Sequence, residues 1–224
     1  MAWDFGAEIH ALSGFDADNS GNVDGIATDE TFQVHANQWL TDGAREVINV
    51  LPPRLKEKCM TITNLYIDNS DTTMDMDGKG DILYVTRENA DSGVFAPCRK
   101  ISSMYGDLTN DSDNIIYGAT STDPIYYIES NSSGNSTLFV KPTPTSLRPA
   151  KVYHVSYPTV TYSATTITNF PDEAEHLVVL YAAIRATEHM MLSEEDQEVY
   201  APQLATLRQD YAQGLASLGA KLPQ

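Results

Sequence analysis

The sequence predicts an α+β fold, in which N- and C-terminal helices form an α-helical bundle that carries a large, β-rich antiparallel insertion. Apolar residues recur with a period near 3.6 in residues 29–51 and at helical spacing in residues 204–218, as in amphipathic helices. Residues 60–167 lack this period and consist of short β-type runs separated by turn-forming residues. The expected divisions are an N-terminal helical part (1–59), the β-rich insertion (60–168) and the C-terminal helices that complete the bundle (169–224).

The N-terminal part is predicted to contain a short helix over residues 1–12 and a longer one over residues 29–51. Pro52 and Pro53 should end the long helix, because proline lacks a backbone N–H and restricts the residue before it. Residues 54–59 are expected to add one more turn. The apolar face of the long helix comprises Phe32, Ala36, Trp39, Leu40, Val47, Ile48 and Leu51.

The insertion is predicted to form an antiparallel sheet of five to seven strands with long loops. A Ser- and Gly-containing stretch, Asn131–Asn135, separates two of the β-type runs and is typical of a hairpin loop. The candidate strands are Met60–Ile67, Ile82–Arg87, Phe95–Met104, Asn114–Tyr117, Ile125–Glu129, Thr137–Lys141 and Lys151–Val160.

Two further helices are predicted after Asn169. Pro171 suits the first turn of a helix, and the acidic residues that follow it favour the positive end of the helix dipole. Residues 177–184 are apolar on every side, which predicts the central helix of the bundle. A last helix is expected to open near Ser193, with Pro202 kinking or restarting it. Its packing stripe is Leu204, Leu207, Tyr211, Leu215 and Leu218.

The charge and composition limit the classes of function. The 224 residues include 14 Lys and Arg against 31 Asp and Glu, a formal net charge of −17. Such an acidic surface repels phosphate backbones and argues against sequence-specific nucleic-acid binding. No apolar run has the roughly 20 residues that cross a bilayer, and no secretory signal is recognisable, so we expect no membrane contact and a cytosolic folding compartment. Cys59 and Cys98 are expected to be free, buried thiols.

One acidic loop matches the first part of a calcium-binding EF-hand loop. Oxygen-bearing side chains stand at loop positions 1, 3, 5 and 9, and Gly21 stands at position 6, where such loops turn sharply. Position 12 is Ala27 instead of the bidentate Glu. Two interpretations remain: a solvated turn that holds no ion, which we favour, and a weak calcium site. The candidate ligands are Asp16, Asp18, Ser20, Asn22 and Asp24.

The other candidate sites are weaker. The acidic turn at residues 75–81 contains Lys79, which removes charge that a cation would need. Glu173 and His176 form a Glu-x-x-His pair, but a di-iron site requires a second pair, which is missing. The sequence contains no nucleotide-binding or hydrolase motif, so we expect no cofactor and no enzymatic activity. Trp39 is expected in the core, and the adjacent Tyr126 and Tyr127 on opposite faces of a strand.

Two stretches resemble a known family of structural proteins. Residues 38–55 run QWLTDGAREVINVLPPRL before the insertion, while residues 151–158 (KVYHVSYP) and 170–184 (FPDEAEHLVVLYAAI) close it and follow it. With this order of elements, the chain resembles the head-to-tail adaptor, or connector, of the tailed-bacteriophage neck, of the tail tubular protein A type. In that family an α-helical bundle carries a β-rich insertion.

The resemblance implies a structural virion protein assembled in the host cytoplasm. It implies a homo-oligomeric ring, commonly of twelve copies, that binds the portal protein on one side and a tail or nozzle protein on the other. Genomic DNA would pass through the ring without specific binding, which the acidic charge suits. The alternatives are another phage tail or baseplate structural protein and, less favoured, a calcium-binding interaction module.

Overall fold

The computed structural model describes residues 4–14, 29–67, 70–90, 93–111, 113–130, 134–193 and 197–219. The chain divides into two compact units. The helical unit comprises Met1–Cys59 and Tyr157–Gln224, and the β unit comprises Met60–Ser156. The two ends of the chain therefore share one unit, as the predicted α+β fold with a β-rich insertion requires.

The helical unit contains five α-helices along the described chain. The fourth helix, α4, contacts α1, α2 and α5, which confirms that N- and C-terminal helices form the bundle. Their bounds are α1 Phe5–Ser13, α2 Asp29–Val50, α3 Pro53–Lys56, α4 Asp172–Ser193 and α5 Gln197–Ser217, with a 3-10 turn at Glu57–Cys59.

Capping side chains, glycine and proline determine where the helices begin and end. The Asp4 carboxylate accepts a hydrogen bond from the Ala7 backbone N–H at 2.8 Å and caps α1. Gly14 ends the same helix in the left-handed conformation, with φ of 76°. The prolines stop α2 after Val50, as predicted, and Pro53 begins the single turn of α3. Pro202 lies inside α5, which continues past it to Ser217 without restarting.

The middle of α4 is the centre of the bundle. The side chains of this helix that are shielded from solvent occupy several of its faces, because α4 has neighbouring helices on more than one side. They are Ala174, Leu177, Val178, Val179, Ala182, Ala183, Ile184, Ala186 and Thr187. On α5, Leu204, Leu207 and Leu215 are buried, so the predicted stripe is a packing surface.

The β unit contains two four-stranded sheets. The first sheet has the strand order β1-β8-β3-β4 and the second has the order β2-β7-β6-β5. All pairings are antiparallel except that of β5 with β6, which is parallel. The strands are β1 Met60–Leu65, β2 Thr73–Asp75, β3 Lys79–Ala90, β4 Val94–Pro97, β5 Arg99–Lys100, β6 Ile125–Ser130, β7 Ser136–Lys141 and β8 Ala150–Ser156.

The two sheets enclose one apolar core. It takes side chains from both sheets, with Val85 and Val152 from the first and Leu138 and Val140 from the second. Side chains alternate across a strand, so the residues between these point away from the core. The core residues are Leu65, Met74, Val85, Tyr126, Leu138, Val140, Ala150 and Val152.

The predicted single sheet of five to seven strands was wrong in its details. Residues 114–117 form a turn, in which the Asn114 side chain accepts hydrogen bonds from two backbone N–H groups and so replaces a strand ladder. The predicted strand 95–104 is interrupted at Cys98, and the segment moves from the first sheet to the second there. The short strand β2 was not predicted.

Residues 157–171 form no strand and belong to the helical unit. The Thr41 hydroxyl accepts a hydrogen bond from the Val160 N–H at 3.1 Å, and the Asn37 side chain accepts one from the Tyr162 N–H at 2.7 Å. The predicted strand 151–160 therefore ends at Ser156, because side chains of α2 satisfy the backbone beyond it.

Candidate interaction surfaces

An exposed apolar surface, here called the apolar loop, lies in the β unit. It consists of Met104, Leu108, Ile115 and Ile116, which lie in the segment 101–119 between β5 and β6. Their exposed fractions are 75%, 41%, 98% and 64%. Apolar side chains grouped this way on one loop are typical of an interaction surface.

The segment that carries the apolar loop is held by specific contacts. The rings of Tyr105 and Tyr117 stack with centroids 4.1 Å apart. The Arg99 guanidinium donates to the Ile116 carbonyl at 3.0 Å, and the Ala119 N–H donates to the Thr109 carbonyl at 3.0 Å. These contacts join the two ends of the segment, so the backbone that carries the four apolar side chains has a defined conformation.

A second surface, here called the aromatic face, is the outer face of the first sheet. Ile62, Tyr84 and Tyr153 are cross-strand neighbours on β1, β3 and β8, and the two tyrosine rings stack with centroids 4.1 Å apart. Ile62 and Tyr84 are each 44% exposed. On the same face, the Lys151 ammonium lies 4.3 Å from the centroid of the Phe95 ring, a cation–π contact.

The two surfaces lie on opposite sides of the β unit. Tyr84 and Tyr153 alternate with core residues Val85 and Val152, so the aromatic face is the outer side of the first sheet. On the second sheet, the core residue Tyr126 alternates with Tyr127, whose ring therefore points outward.

The apolar loop's own segment covers the outward ring of Tyr127. The position that a Cβ atom on Gly106 would occupy lies only 3.0 Å from that ring, so the segment is in direct contact with it. The apolar loop consequently lies on the outer side of the second sheet.

The helical unit carries an open groove of about 320 Å³. Three rings meet beside it, with centroids 5.8 Å apart for His35 and Trp39, 5.7 Å for His35 and His189, and 5.8 Å for Trp39 and His189. Burial, together with the neighbouring His35, lowers the pKa of His189. The Glu188 carboxylate accepts hydrogen bonds from Arg185 at 3.0 Å and Arg208 at 2.7 Å.

The structure leaves the predicted calcium ligands untested. Asp16, Asp18, Ser20, Asn22 and Asp24 lie outside the described residues. Within the described part of the chain, no group of three or more His, Cys, Asp or Glu side chains could hold a metal ion. Glu173 is engaged in an ion pair with Lys58 at 2.7 Å, and His176 is exposed on α4.

Of the aromatic residues identified from the sequence, some occupy the predicted positions and one does not. The prediction that Trp39 belongs to the core was wrong: Trp39 is half-buried at the groove, where its ring stacks on His35 and meets the ring of His189 at a tilt. Tyr126 and Tyr127 are both 7% exposed and point to opposite faces of β6, as the alternation predicts.

The apolar loop was missed because the β-type residues Ile115 and Ile116 indicated a strand. Isoleucine is enriched in strands and in contact surfaces alike, so composition alone does not separate the two. The flanking Asn114 and Gly118 were the available signal, since both favour turns.

Among the residues that the structure describes, no helix is long and apolar enough to cross a membrane. A search of curated proteins finds no match to the chain. The model of one protein family, described as SU10 adaptor protein, matches residues 15–223 and so includes both the helical and the β unit. This match supports the resemblance to phage head-to-tail adaptors, and the chain belongs to the SU10 adaptor protein family.

Proposed function

We propose that this phage structural adaptor protein forms a homo-oligomeric ring of twelve copies at the neck of the virion. One side of the ring binds the portal protein, and the other side binds a tail or nozzle protein. Genomic DNA passes through the centre without specific binding. The single observation that carries the proposal is the family match over residues 15–223.

The charge of the chain supports the DNA-channel part of the proposal. A net charge of −17 disfavours contact with the phosphate backbone, so DNA can pass such a wall without being held. A strongly basic wall would slow the DNA, because each phosphate contact releases counterions and adds affinity.

The exposed apolar side chains support the assembly part. The apolar loop and the aromatic face together expose Ile62, Tyr84, Met104, Ile115 and Ile116 on one β unit. Monomeric soluble proteins rarely keep grouped apolar side chains in water, so this distribution favours a protein that works in an assembly.

Labelling of intact particles tests the proposal. Purified virions are treated with an antibody against this chain and viewed in negative stain, with an antibody against the major capsid protein as the control. We expect the label at the junction of head and tail. A label at the tail tip would contradict the proposal and support the alternative of a tail or baseplate component.

A further inference from the structure

We propose that the apolar loop of one copy packs on the aromatic face of the next copy around the ring. This inference rests on the proposed function, because it assigns the contact between copies within the proposed ring. In the ring, each of the two surfaces is therefore covered by a neighbouring copy of this chain.

The geometry of the β unit supports the pairing. The apolar loop lies on the outer side of the second sheet, and the aromatic face is the outer side of the first. A contact between two different, opposite surfaces is heterologous, so each copy still offers one free surface to the following copy. Repetition of such a contact produces a closed ring when the rotation between copies allows closure.

The side chains of the two surfaces are chemically complementary. The apolar loop offers the aliphatic groups of Ile115 and Ile116, whereas the aromatic face offers the stacked rings of Tyr84 and Tyr153. Flat rings and branched aliphatic side chains pack well against each other, and aromatic residues are enriched in the centres of interfaces.

Individual charged side chains of the two surfaces are opposite in sign. Asp107, Asp111 and Asp113 are exposed within the segment that carries the apolar loop. The aromatic face carries the Lys151 ammonium, which lies over the Phe95 ring. Attraction between these aspartates and Lys151 favours contact between the two different surfaces over the association of two apolar loops.

The distribution of charge along the chain also favours contact through the β unit. Residues 60–156 carry 12 acidic and seven basic side chains, whereas the rest of the chain carries 19 acidic and seven basic ones. Copies that meet through their β units therefore experience less repulsion than copies that meet through their helical units.

Disulfide trapping tests the contact in assembled particles. Ile62→Cys and Ile115→Cys are introduced together into the full chain, and particles assembled with it are oxidised. We expect a ladder of covalently linked copies on a non-reducing gel. The native thiols should not interfere, because Cys59 is buried, Cys98 is partly buried and the pKa of both is raised.

Two control variants test whether the ladder depends on the proposed contact. Ile115→Cys alone and the pair Val34→Cys with Ile115→Cys should remain single chains, since Val34 is exposed on α2 in the helical unit. A ladder from the Val34 pair of the same strength as that from the Ile62 pair would overturn the proposal.

A charge substitution provides an independent measurement. Ile115→Asp with Ile116→Asp places carboxylates on the apolar loop, and we expect about a tenfold or greater loss of ring-assembled chains in particles, counted by electron microscopy. Both side chains are exposed, so circular dichroism of the variant should match wild type. Val34→Asp, the matched control, should assemble normally.

The outcomes separate this inference from the proposed function. Rings that still form with the Ile115→Asp, Ile116→Asp variant, together with no Ile62–Ile115 linkage in the cysteine variant, would overturn the assigned contact and leave the proposed ring standing. Particles in which wild-type copies form no ring would overturn the proposed function and this inference together. Rings that depend on Ile115 and Ile116 and yield the linkage support both.

Discussion

Burial controls the chemistry of the two thiols. Burial raises the pKa of Cys98 to about 12, although the nearby Arg87 partly opposes the shift, and raises the pKa of Cys59 to about 11 against a smaller opposing effect of Lys56. The thiolate is the reactive form of cysteine, so a raised pKa removes reactivity at ordinary pH.

We therefore expect neither cysteine to react readily with iodoacetamide at pH 8 in the folded chain. The rate should be at least about 100-fold below that of a free thiol. In urea, where both side chains are solvated, two labels per chain should appear by mass spectrometry. Rapid labelling of one cysteine under native conditions would show that its surroundings open easily.

His154 is a buried histidine on β8. Its Nδ1 donates to the Val155 carbonyl at 3.0 Å, so in the neutral ring Nε2 is the acceptor for the Thr63 hydroxyl, also at 3.0 Å. Burial is the main cause that lowers the pKa of His154. The unfolded chain therefore binds a proton at a higher pH than the folded chain does.

From this difference we expect the free energy of unfolding to decrease as the pH falls below about 6.5. The stabilisation is fully present above that pH and is lost as the pH falls through the lowered pKa of the folded state. Urea unfolding between pH 7 and 5 measures it. His154→Asn should flatten the pH dependence, and the same change at exposed His176 should not. Equal slopes for wild type and His154→Asn would contradict this account.

The positions of some single residues could be predicted from the sequence, and those of others could not. The alternation at Tyr126 and Tyr127 follows from strand geometry and could be predicted. The half-buried state of Trp39 could not, because it depends on His189, which comes 150 positions later and meets the same groove only in the folded chain.

At the scale of elements, α4 and α5 approach each other closely at Gly214. A Cβ atom at this position would collide with the Leu177 side chain, which is fully buried on α4. In an exposed helix, Gly→Ala would stabilise the chain by about 1 kcal/mol. Here the close approach reverses the sign.

Gly214→Ala should therefore destabilise the chain by about 1–3 kcal/mol in urea unfolding. Leu177→Ala alone should cost about 2–5 kcal/mol, because it leaves a cavity. In the double variant the new methyl group enters that cavity, so the loss should be smaller than the sum of the two single losses. Strict additivity would show that the two residues do not share this contact.

Residues 16–27 match only the first part of an EF-hand loop sequence. Because Ala27 replaces the bidentate Glu of an EF-hand loop, we expect no heat of binding when the full chain is titrated with calcium to millimolar concentration. Heat that disappears on Asp16→Asn with Asp18→Asn would contradict this expectation and establish Asp16, Asp18, Ser20, Asn22 and Asp24 as a calcium site.

Helices could be predicted more closely than strands. The apolar period and the prolines after it located α2 to within a few residues, and Pro171 with the continuous apolar run after it located α4 equally well. Strand pairing depends on contacts between distant residues, such as β1 with β8. Alternation predicts which side chains face a core but not which strands become neighbours, so the division into two sheets was not foreseen.

At the scale of the whole molecule, the chain combines a helical unit made from both ends with a continuous β unit. The helical periodicity at both ends was sufficient to predict this order. The exposed apolar surfaces were not predictable, because an exposed isoleucine and a buried one are identical in the sequence. Only the fold shows that Ile115 is 98% exposed while Ile125 is fully buried.

A cryo-electron microscopy reconstruction of the neck of intact particles tests the central claim most directly. We predict a closed ring of twelve copies of this chain between portal and tail, with DNA density along its axis. A reconstruction that places the chain elsewhere in the particle, or as isolated copies that do not touch, would contradict the account.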